Sequence, residues 1–386
     1  MKNILFCGPY RQKDGWGNAS KEYLRALKLT GYNIAARPLY TNRDMFYNDD
    51  ISSFEDSKEF SGLENKSYDS YDIIIQHCLP HMTKHYGGVK NISLLHLENT
   101  IKHTELYYPL SLMDEIWVST EFEKRMLEES DIKQSISVIK LPCNIEKYGH
   151  KTNIEFGEQF KVLESTYNFY FIGESIWRKN LDDLIKAFHG EFNPSENVSL
   201  VIKTHHFGKS EQQTLSIIKE KIANIKKEIK MYYYQNMPYK KELIIPEHMP
   251  QKKLYELHSV LDCLVVPSRG EGFCIPAFDA IMHGSKVIAN ENAGSSQFLN
   301  EHNSKPIKSY KTPMISPEEY VPLHNFYNNR NYWHQISVCD LKEKMREAYE
   351  ENKDKDESEE IKKHSRENIL PLYSYENVAK EMLEVL

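Results

Sequence analysis

The chain has 386 residues. Because a domain with a single hydrophobic core is usually shorter than this, we expect two domains. Its formal net charge of −7 argues against general nucleic-acid binding. No apolar run approaches the roughly 18 residues of a membrane span, and the short run before Gly8 favours a first strand over a signal peptide. The six cysteines include no C-x-x-C pair, a pattern typical of reduced thiols in a cytoplasmic protein.

The first half of the chain alternates short apolar runs with amphipathic segments, which predicts parallel strands connected by helices. Strands are expected at residues 3–7, 33–36, 72–76, 92–95, 115–118 and 137–141. A helix is expected over 19–29, and 40–70 is expected to be a long loop with short elements. Thr120 and Glu123 form the capping-box pattern at the start of a helix that runs to Glu129.

The second half repeats this alternation after the polar stretch 150–166, where we place the domain boundary. It is expected to contain a strand over 167–172, a helix from about 181, a strand over 199–203 and a Lys-rich helix over 211–230. Isoleucines at helical spacing favour a core-facing stripe on that last helix over a membrane-binding surface. Residues 373–379 predict a further capped helix.

The segment Asp262–Leu299 is the most informative part of the sequence. It predicts a strand, a glycine-rich loop, a helix, a second strand and a second glycine-containing loop leading into another helix. Pro276 suits a first helical turn, and Gly284 suits a helix end. Both helices would begin at the carboxyl ends of neighbouring strands, where open α/β sheets bind ligands and free amides suit a phosphate.

Two carboxylates, Glu271 and Asp279, lie in this segment. Carboxylates beside a phosphate would repel it, but they are good hydrogen-bond acceptors for the vicinal hydroxyls of a sugar or a ribose. The combination suggests a nucleotide-sugar site. From spacing alone, an alternative is equally compatible: Glu271 is an acid on a loop surface, and Asp279 is an ordinary acid in the first turn of a helix.

The segment resembles the donor-site signature of the family 4 (group 1) retaining glycosyltransferases, roughly P-S-x-x-E-G-F-G-x-P-x-x-E-A-M-x-x-G-x-P-V-I. The matching residues are Pro267, Ser268, Glu271, Gly272, Phe273, Pro276, Ala280, Gly284, Val287 and Ile288. Cys274, Asp279 and Lys286 depart from the pattern, where the family has Gly, Glu and Pro. The resemblance implies that Glu271 contacts the donor hexose and Asp279 the ribose.

The resemblance also implies an α/β fold of the GT-B type, with two Rossmann-like domains, a cleft between them and a C-terminal helix that crosses back to the first domain. Residues 1–155, with about 373–386, would form the acceptor-binding domain. Residues 156–372 would form the nucleotide-sugar-binding domain.

A basic pair, Arg178 and Lys179, precedes a predicted helix start at which Asn180 and Asp183 would form a cap. Cations beside helix-start amides suit a diphosphate. In the family an Arg and a Lys hold this group. Lys179 matches the Lys, whereas Glu174 stands where the Arg is expected, and Arg178 or Lys203 would compensate.

Glycine-containing loops are the other candidates for backbone contact with the donor. The resemblance places Gly15 and Gly17 in a loop facing donor and acceptor, with Trp16 narrowing the acceptor pocket; an ordinary turn is equally compatible with the two glycines. Amides near Gly294 and Ser295 would stabilise the leaving diphosphate.

Two histidines follow predicted strand ends. His96 lies where the family often has a His facing the donor sugar, and His77 follows another strand in the same way. A structural role is the alternative for both; we favour a functional role for His96, whereas for His77 the two roles remain equally open. Glu98 would orient His96 or be a surface acid.

We therefore expect a retaining hexosyltransferase that uses a UDP- or GDP-sugar and a carbohydrate or lipid-linked acceptor, in surface polysaccharide or glycan synthesis. No metal-ligand spacing is seen, so neither metal nor cofactor is expected. The front-face displacement implied by the family needs no protein nucleophile; Glu271, His96 and Lys179 are the candidate catalytic residues. A GT-B nucleotide-sugar epimerase and a non-catalytic nucleotide-sugar-binding subunit are the alternatives. Location at the inner face of a membrane and oligomeric state stay open.

Overall fold

The computed structural model describes residues 1–12, 15–39, 57–102, 104–149, 163, 165–206, 208–232, 238–315, 328–351 and 357–386. The chain forms two compact units. The first contains residues 1–145, 313–332 and 371–386, and the second contains 146–312 and 333–370. The predicted boundary near residue 155 lies outside the described residues and stays a prediction.

The first unit is built on a six-stranded parallel sheet in the order β2-β1-β3-β4-β5-β6. Its strands are β1 (Asn3–Gly8), β2 (Asn33–Pro38), β3 (Ile73–His77), β4 (Lys90–Leu94), β5 (Glu115–Val118) and β6 (Ser135–Val138). Its first helices are α1 (Gly15–Lys28), α2 (Ser57–Glu64), α3 (Tyr107–Ser111) and α4 (Glu121–Glu129). Five strands overlap their predicted positions closely, and β6 begins two residues before the predicted 137–141.

The second unit is also built on a six-stranded parallel sheet, in the order β12-β11-β10-β7-β8-β9. Its strands are β7 (Tyr167–Glu174), β8 (Val198–His205), β9 (Leu243–Ile245), β10 (Cys263–Val266), β11 (Lys286–Asn290) and β12 (Ser304–Ile307). Its helices are α5 (Leu181–Glu191), α6 (Glu211–Ile229), α7 (Gln251–Val260), α8 (Ile275–His283), α9 (Val338–Glu351) and α10 (Glu357–His364). Strands β13 (Ser309–Pro313) and β14 (Tyr332–Ile336) form a separate ribbon.

The strand orders fix where loops from different parts of the chain meet. Renumbered within its own unit, the second sheet reads 6-5-4-1-2-3, the doubly wound order in which the chain reverses direction between β7 and β10. In the first sheet the reversal lies between β1 and β3. Ligands of such sheets bind outside the carboxyl ends of the strands at this switch point. The loops after β7 and β10 are therefore the candidate site of the second unit.

Amphipathic helices complete each core as their sequences predict. Ile218, Ile222 and Ile225 of α6 are buried in the core of the second unit, and Ile229 packs against it, which confirms the apolar stripe. At the start of α4, Thr120 and Glu123 form the predicted reciprocal capping box.

The C-terminal helix α11 (Tyr375–Val385) belongs to the first unit, as predicted. Ser374 caps it by accepting a hydrogen bond from the Asn377 amide. It packs against α1, where Tyr375 donates a hydrogen bond to Glu22. Both chain ends thus contribute to one core. Within the described ranges, no helix is long and apolar enough to cross a bilayer.

Two local predictions were wrong. Gly15 and Gly17 do not lie in a loop, because α1 already begins at Gly15. After β11 the chain forms only a four-residue 3-10 turn, Gly294–Gln297, in place of the predicted helix. Helix α8 matches its prediction: Pro276 lies in the first turn and Gly284 ends it at a φ of 92°.

Cys274 precedes α8 with a φ of 74°, a left-handed conformation that non-glycine residues adopt at a steric cost. This backbone explains why the related sequence pattern has glycine at this position. The thiol is buried, and burial raises its pKa to about 12.

Replacing Cys274 by glycine should give a more stable protein than replacing it by alanine, by about 0.5–1 kcal/mol. Both variants lose the sulfur, but only glycine adopts this φ without a Cβ clash. The measurement is the urea midpoint of each variant. The same pair at Lys219, an exposed position inside α6, is the control and should show the usual order, with alanine more stable. Alanine equal to or above glycine at 274 would contradict the strain.

Candidate functional site

The loops that follow β7 and β10 are joined directly at the switch point of the second sheet. The amide of Arg269 donates to the carbonyl oxygen of Arg178 at 2.8 Å, and Nη1 of Arg178 donates to the carbonyl oxygen of Gly270 at 2.7 Å. Nδ2 of Asn180 donates to the carbonyl oxygen of Pro267 at 3.1 Å. These bonds set the positions of the basic pair and of the Glu271 loop relative to each other.

Asn180 is the N-cap residue of α5, but its side chain does not cap the helix. Its backbone has a φ of 58°, and its Nδ2 donates to Asp183 Oδ2 at 3.0 Å as well as to Pro267. The predicted Asn180–Asp183 cap is therefore wrong. A capping side chain accepts a hydrogen bond from a backbone amide, whereas the Asn180 side chain donates hydrogen bonds and joins two loops.

Arg269, in the loop after β10, connects this loop to neighbouring segments. The sequence did not reveal this role. Its guanidinium lies over the Trp177 ring, with the Cζ atom 4.2 Å from the ring centroid, and its Nε donates to Gln335 at 2.7 Å. The carbonyl oxygen of Arg269 accepts from the His334 amide at 2.9 Å. Burial lowers the pKa of Arg269, while Asp183 opposes the shift.

Glu271 is the central acid of the site and is only 5% exposed. Nζ of Lys179 donates to its two carboxylate oxygens at 2.7 and 3.0 Å, and Arg178 Nη1 lies 3.5 Å from Oε2. Burial alone would raise the pKa of Glu271, but the charges of Lys179 and Arg178 outweigh it and the pKa lies below its ordinary value. The three predicted residues are thus brought together.

The loop after β11 packs against the loop that carries Glu271. The Gly294 amide donates to the Glu271 carbonyl oxygen at 2.7 Å, and a Cβ at Gly294 would lie 1.6 Å from the carbonyl oxygen of Gly272. Only glycine fits this approach. Ser295 is buried, and its hydroxyl has no partner among the described residues. Their role towards a diphosphate stays a prediction.

Phe273, another predicted donor-site residue, is packed inside the unit. Its ring centroid lies 5.5 Å from that of Phe278 on α8 and 5.0 Å from that of Phe298. This aromatic cluster anchors the end of the Glu271 loop to α8.

Asp279 lies on α8 beyond its first turn, which removes the alternative of a dipole-favoured first-turn acid. It is 2% exposed and accepts a hydrogen bond from the Tyr148 hydroxyl. Gln251 Nε2 donates to its other oxygen at 3.3 Å, and Lys147 Nζ lies 3.9 Å from Oδ1. The predicted ribose acid therefore already has protein partners, which the sequence did not reveal.

Lys203 lies in β8, paired with Ile172 of β7 on one side and Ile245 of β9 on the other. Burial lowers its pKa, and Glu247 and Glu211 oppose the shift. No hydrogen bond or ion pair joins Lys203 to the Glu271 cluster in the described part of the chain. Arg178 is the cation that the structure brings to Glu271.

In the first unit, Gly17 is required by packing. A Cβ there would lie 2.1 Å from the Gln12 carbonyl oxygen, whereas Gly15 has open space around it. Trp16, between them, stacks on His77 with ring centroids 5.2 Å apart and meets His96 edge-on at 5.4 Å. The Trp16 indole thus contacts both histidines.

His77, which is buried, and His96, which is half-buried, belong to one aromatic cluster at the carboxyl ends of β3 and β4. Their ring centroids are 5.3 Å apart, and Tyr23 packs on both. Neither ring nitrogen of His77 has a hydrogen-bond partner among the described residues. Burial, with the neighbouring His96, lowers the pKa of His77 well below its ordinary value. Glu123 lies beside His96, with its Oε1 3.3 Å from Nδ1, and the suggested role of Glu98 stays a prediction.

In the part of the chain that the structure describes, no group of three or more His, Cys, Asp or Glu side chains is arranged to hold a metal ion.

Residues 155–311 match the family described as Glycosyl transferases group 1, and this range contains Arg178, Lys179, Glu271 and Asp279. No curated protein matches the chain at a significant level.

Similar solved structures show the fold of the whole chain. Sucrose-phosphate synthase from Thermosynechococcus elongatus is 13% identical, with a TM-score of 0.62 over 100% of this chain and 98% of its own. Anabaena Alr3699/HepE in complex with UDP is 9% identical, with a TM-score of 0.59 over 100% and 99%. A point mutant of TarM from S. aureus, in complex with UDP and other ligands, is 15% identical, with a TM-score of 0.53. The matched region spans 81% of this chain but only 54% of the TarM chain. The fold is α/β with the two Rossmann-like units of the GT-B architecture.

The Glu271 ion pair should make stability depend on pH. A folded-state pKa below the unfolded value of about 4.3 stabilises the protein above that pH, and this stabilisation is lost as the pH falls through the lower folded pKa. The thermal midpoint of the wild type should therefore exceed that of Glu271→Gln by more at about pH 7 than at about pH 3.5. Glu301→Gln, at a side chain that is 88% exposed, is the control. A gap that stays constant with pH would contradict the ion pair.

Proposed function

We propose that the protein is a retaining glycosyltransferase that moves a hexosyl group from a nucleotide-diphosphate sugar to an acceptor hydroxyl. The observation that carries the proposal is the cluster of Glu271, Lys179 and Arg178 at the switch point of the second sheet. The match of residues 155–311 to group 1 glycosyl transferases supports it.

Electrostatics favour a diphosphate beside this cluster. A lone carboxylate would repel a phosphate, but two cations lie within 3.5 Å of Glu271, so the cluster carries a net positive charge. Lys179 and Arg178 would bind the diphosphate and stabilise the charge that develops as it departs. Glu271 would accept hydrogen bonds from hydroxyls of the hexose.

We propose the retaining course on the family resemblance, and the contacts of Glu271 are compatible with it. Both oxygens of Glu271 are engaged by Lys179, which suits a carboxylate that orients a sugar and is not itself a nucleophile. In a front-face displacement, the departing phosphate oxygen takes the proton of the incoming hydroxyl. The charges of Lys179 and Arg178 would supply the stabilisation that a metal provides in other transferases, so we propose a metal-independent reaction.

Asp279 is proposed to contact the ribose through its present neighbours. Tyr148 and Gln251 already hold its carboxylate, and it is one methylene shorter than the Glu of the related pattern. A ribose hydroxyl would therefore join or displace these partners. UDP in the TarM and HepE structures supports a uridine donor, with GDP as the other base to be tested. The acceptor would be a carbohydrate or a lipid-linked glycan, in surface polysaccharide synthesis.

The function is tested by donor binding followed by product analysis. Calorimetry with UDP and with GDP identifies the base, and the matching nucleotide-sugars are then incubated with and without carbohydrate acceptors. Transfer should require an acceptor and leave the anomeric configuration of the donor unchanged in the product, as read by proton NMR. An inverted product would overturn the retaining course. Conversion of the donor without any acceptor would favour an epimerase, and binding without turnover a non-catalytic subunit.

Replacing Glu271 by glutamine should reduce transfer by about 10²-fold or more, while binding of the nucleotide diphosphate stays within a few-fold of wild type. The cations that hold the diphosphate remain, but the charged acceptor for the hexose hydroxyls is lost. The measurements are kcat for transfer and calorimetric Kd for the diphosphate, with Glu301→Gln as the charge-matched control. Full activity of Glu271→Gln would refute the assignment of this acid.

A further inference from the structure

The environment of the His96 ring in the first unit determines which of its nitrogens carries a proton. Nδ1 faces two oxygens, Glu123 Oε1 at 3.3 Å and Ser119 Oγ at 3.3 Å. A nitrogen between two acceptors must donate. The question is therefore whether both oxygens are acceptors.

Glu123 is an acceptor because its carboxylate is surrounded by donors. The Leu97 amide donates to Oε1 at 2.9 Å; the amides of Ser119 and Thr120 donate to Oε2 at 2.7 and 3.1 Å. The side chain is 0% exposed, so solvent does not compete for these bonds. With these donors in place the side chain is bound as a carboxylate, which accepts hydrogen bonds and has no proton to give.

Ser119 is an acceptor towards His96 for a similar reason. Its hydroxyl proton is directed to Glu123 Oε2, at an Oγ–Oε2 distance of 2.6 Å. Only lone pairs of Ser119 Oγ remain for His96 Nδ1. Nδ1 thus carries a proton, and a neutral His96 ring must leave Nε2 without one.

Nε2 of His96 is buried and has no hydrogen-bond partner among the described residues. The ring plane is fixed by aromatic neighbours, with centroids 5.4 Å from that of Trp16, 6.3 Å from that of Tyr23 and 5.3 Å from that of His77. A buried nitrogen lone pair without a partner is costly unless a ligand supplies a donor.

We propose that Glu123 is a positioning residue that holds His96 as the Nδ1–H tautomer, so that Nε2 accepts a hydrogen bond from a hydroxyl of the sugar substrate. The use of the nitrogen by a sugar rests on the proposed glycosyl transfer. The tautomer itself does not, because it follows from the contacts of Glu123 and Ser119 alone. Glu123 thereby has two roles, as the capping-box acid of α4 and as the partner of His96.

The tautomer is tested on the full-length protein without substrate. Two-bond proton–nitrogen NMR of histidine-labelled protein distinguishes a protonated from an unprotonated ring nitrogen, and loss of one signal set in His96→Gln assigns His96 among the 16 histidines. At about pH 8.5, roughly two units above the ordinary imidazole pKa, the wild type should show a protonated Nδ1 and a bare Nε2. A protonated Nε2 in the wild type overturns the proposal, whether or not any variant folds.

The role of Glu123 is tested by Glu123→Gln, whose amide can donate to Nδ1 and so favour the Nε2–H tautomer. This variant should shift the tautomer and lower kcat/KM for transfer by about tenfold, the value of one hydrogen bond. In a His96→Gln background the same change should have no further effect, because Glu123 acts through His96. Glu128→Gln, an exposed acid on the same helix, is the control and should change neither quantity.

Three outcomes would overturn the proposal: an unshifted tautomer in folded Glu123→Gln, a shifted tautomer with unchanged kcat/KM, or an undiminished effect in the His96→Gln background. If no transfer is found with any donor, the proposed function fails while the NMR result still confirms or rejects the tautomer.

Discussion

The ion pair between Glu271 and Lys179 is the interaction on which the candidate donor site depends. It joins residues 92 positions apart, across the switch point between β7 and β10. Burial would favour a neutral Glu271, and the two cations keep it charged instead. The same pairing would prevent the carboxylate from repelling the proposed diphosphate. In the proposed function, this pairing is what makes hydroxyl recognition and phosphate binding compatible in one place.

Backbone contacts explain why this pair has a fixed geometry. The loops after β7, β10 and β11 exchange hydrogen bonds through Arg178, Arg269 and Gly294, so the side chains that matter are carried on mutually bonded main chain. The Arg269 guanidinium also packs on the Trp177 ring, which is a further contact between the loops after β7 and β10. A site built in this way requires little reorganisation when a charged ligand arrives.

The first unit uses a buried carboxylate for a different purpose. Glu123 is surrounded by N–H and O–H donors, so it acts as a fixed acceptor that orients His96, whereas Glu271 is balanced by cations. Both acids are almost fully buried, and the chemistry of each is decided by its neighbours. Asp279 is a third case, since Tyr148 and Gln251 already hold it.

The sequence by itself determined the α/β class, most strands, the capping box of α4, the apolar stripe of α6 and the loop that carries Glu271. Periodicity, capping residues and glycine placement are local signals, so they can be read from neighbouring positions. Cys274 departs from the related pattern at a left-handed φ, which explains why that pattern has glycine there. The tertiary structure alone decided the partners: Lys179 for Glu271, Tyr148 for Asp279 and Glu123 for His96. Those pairings depend on strand order and on packing between distant segments, which leave no periodic trace in the sequence.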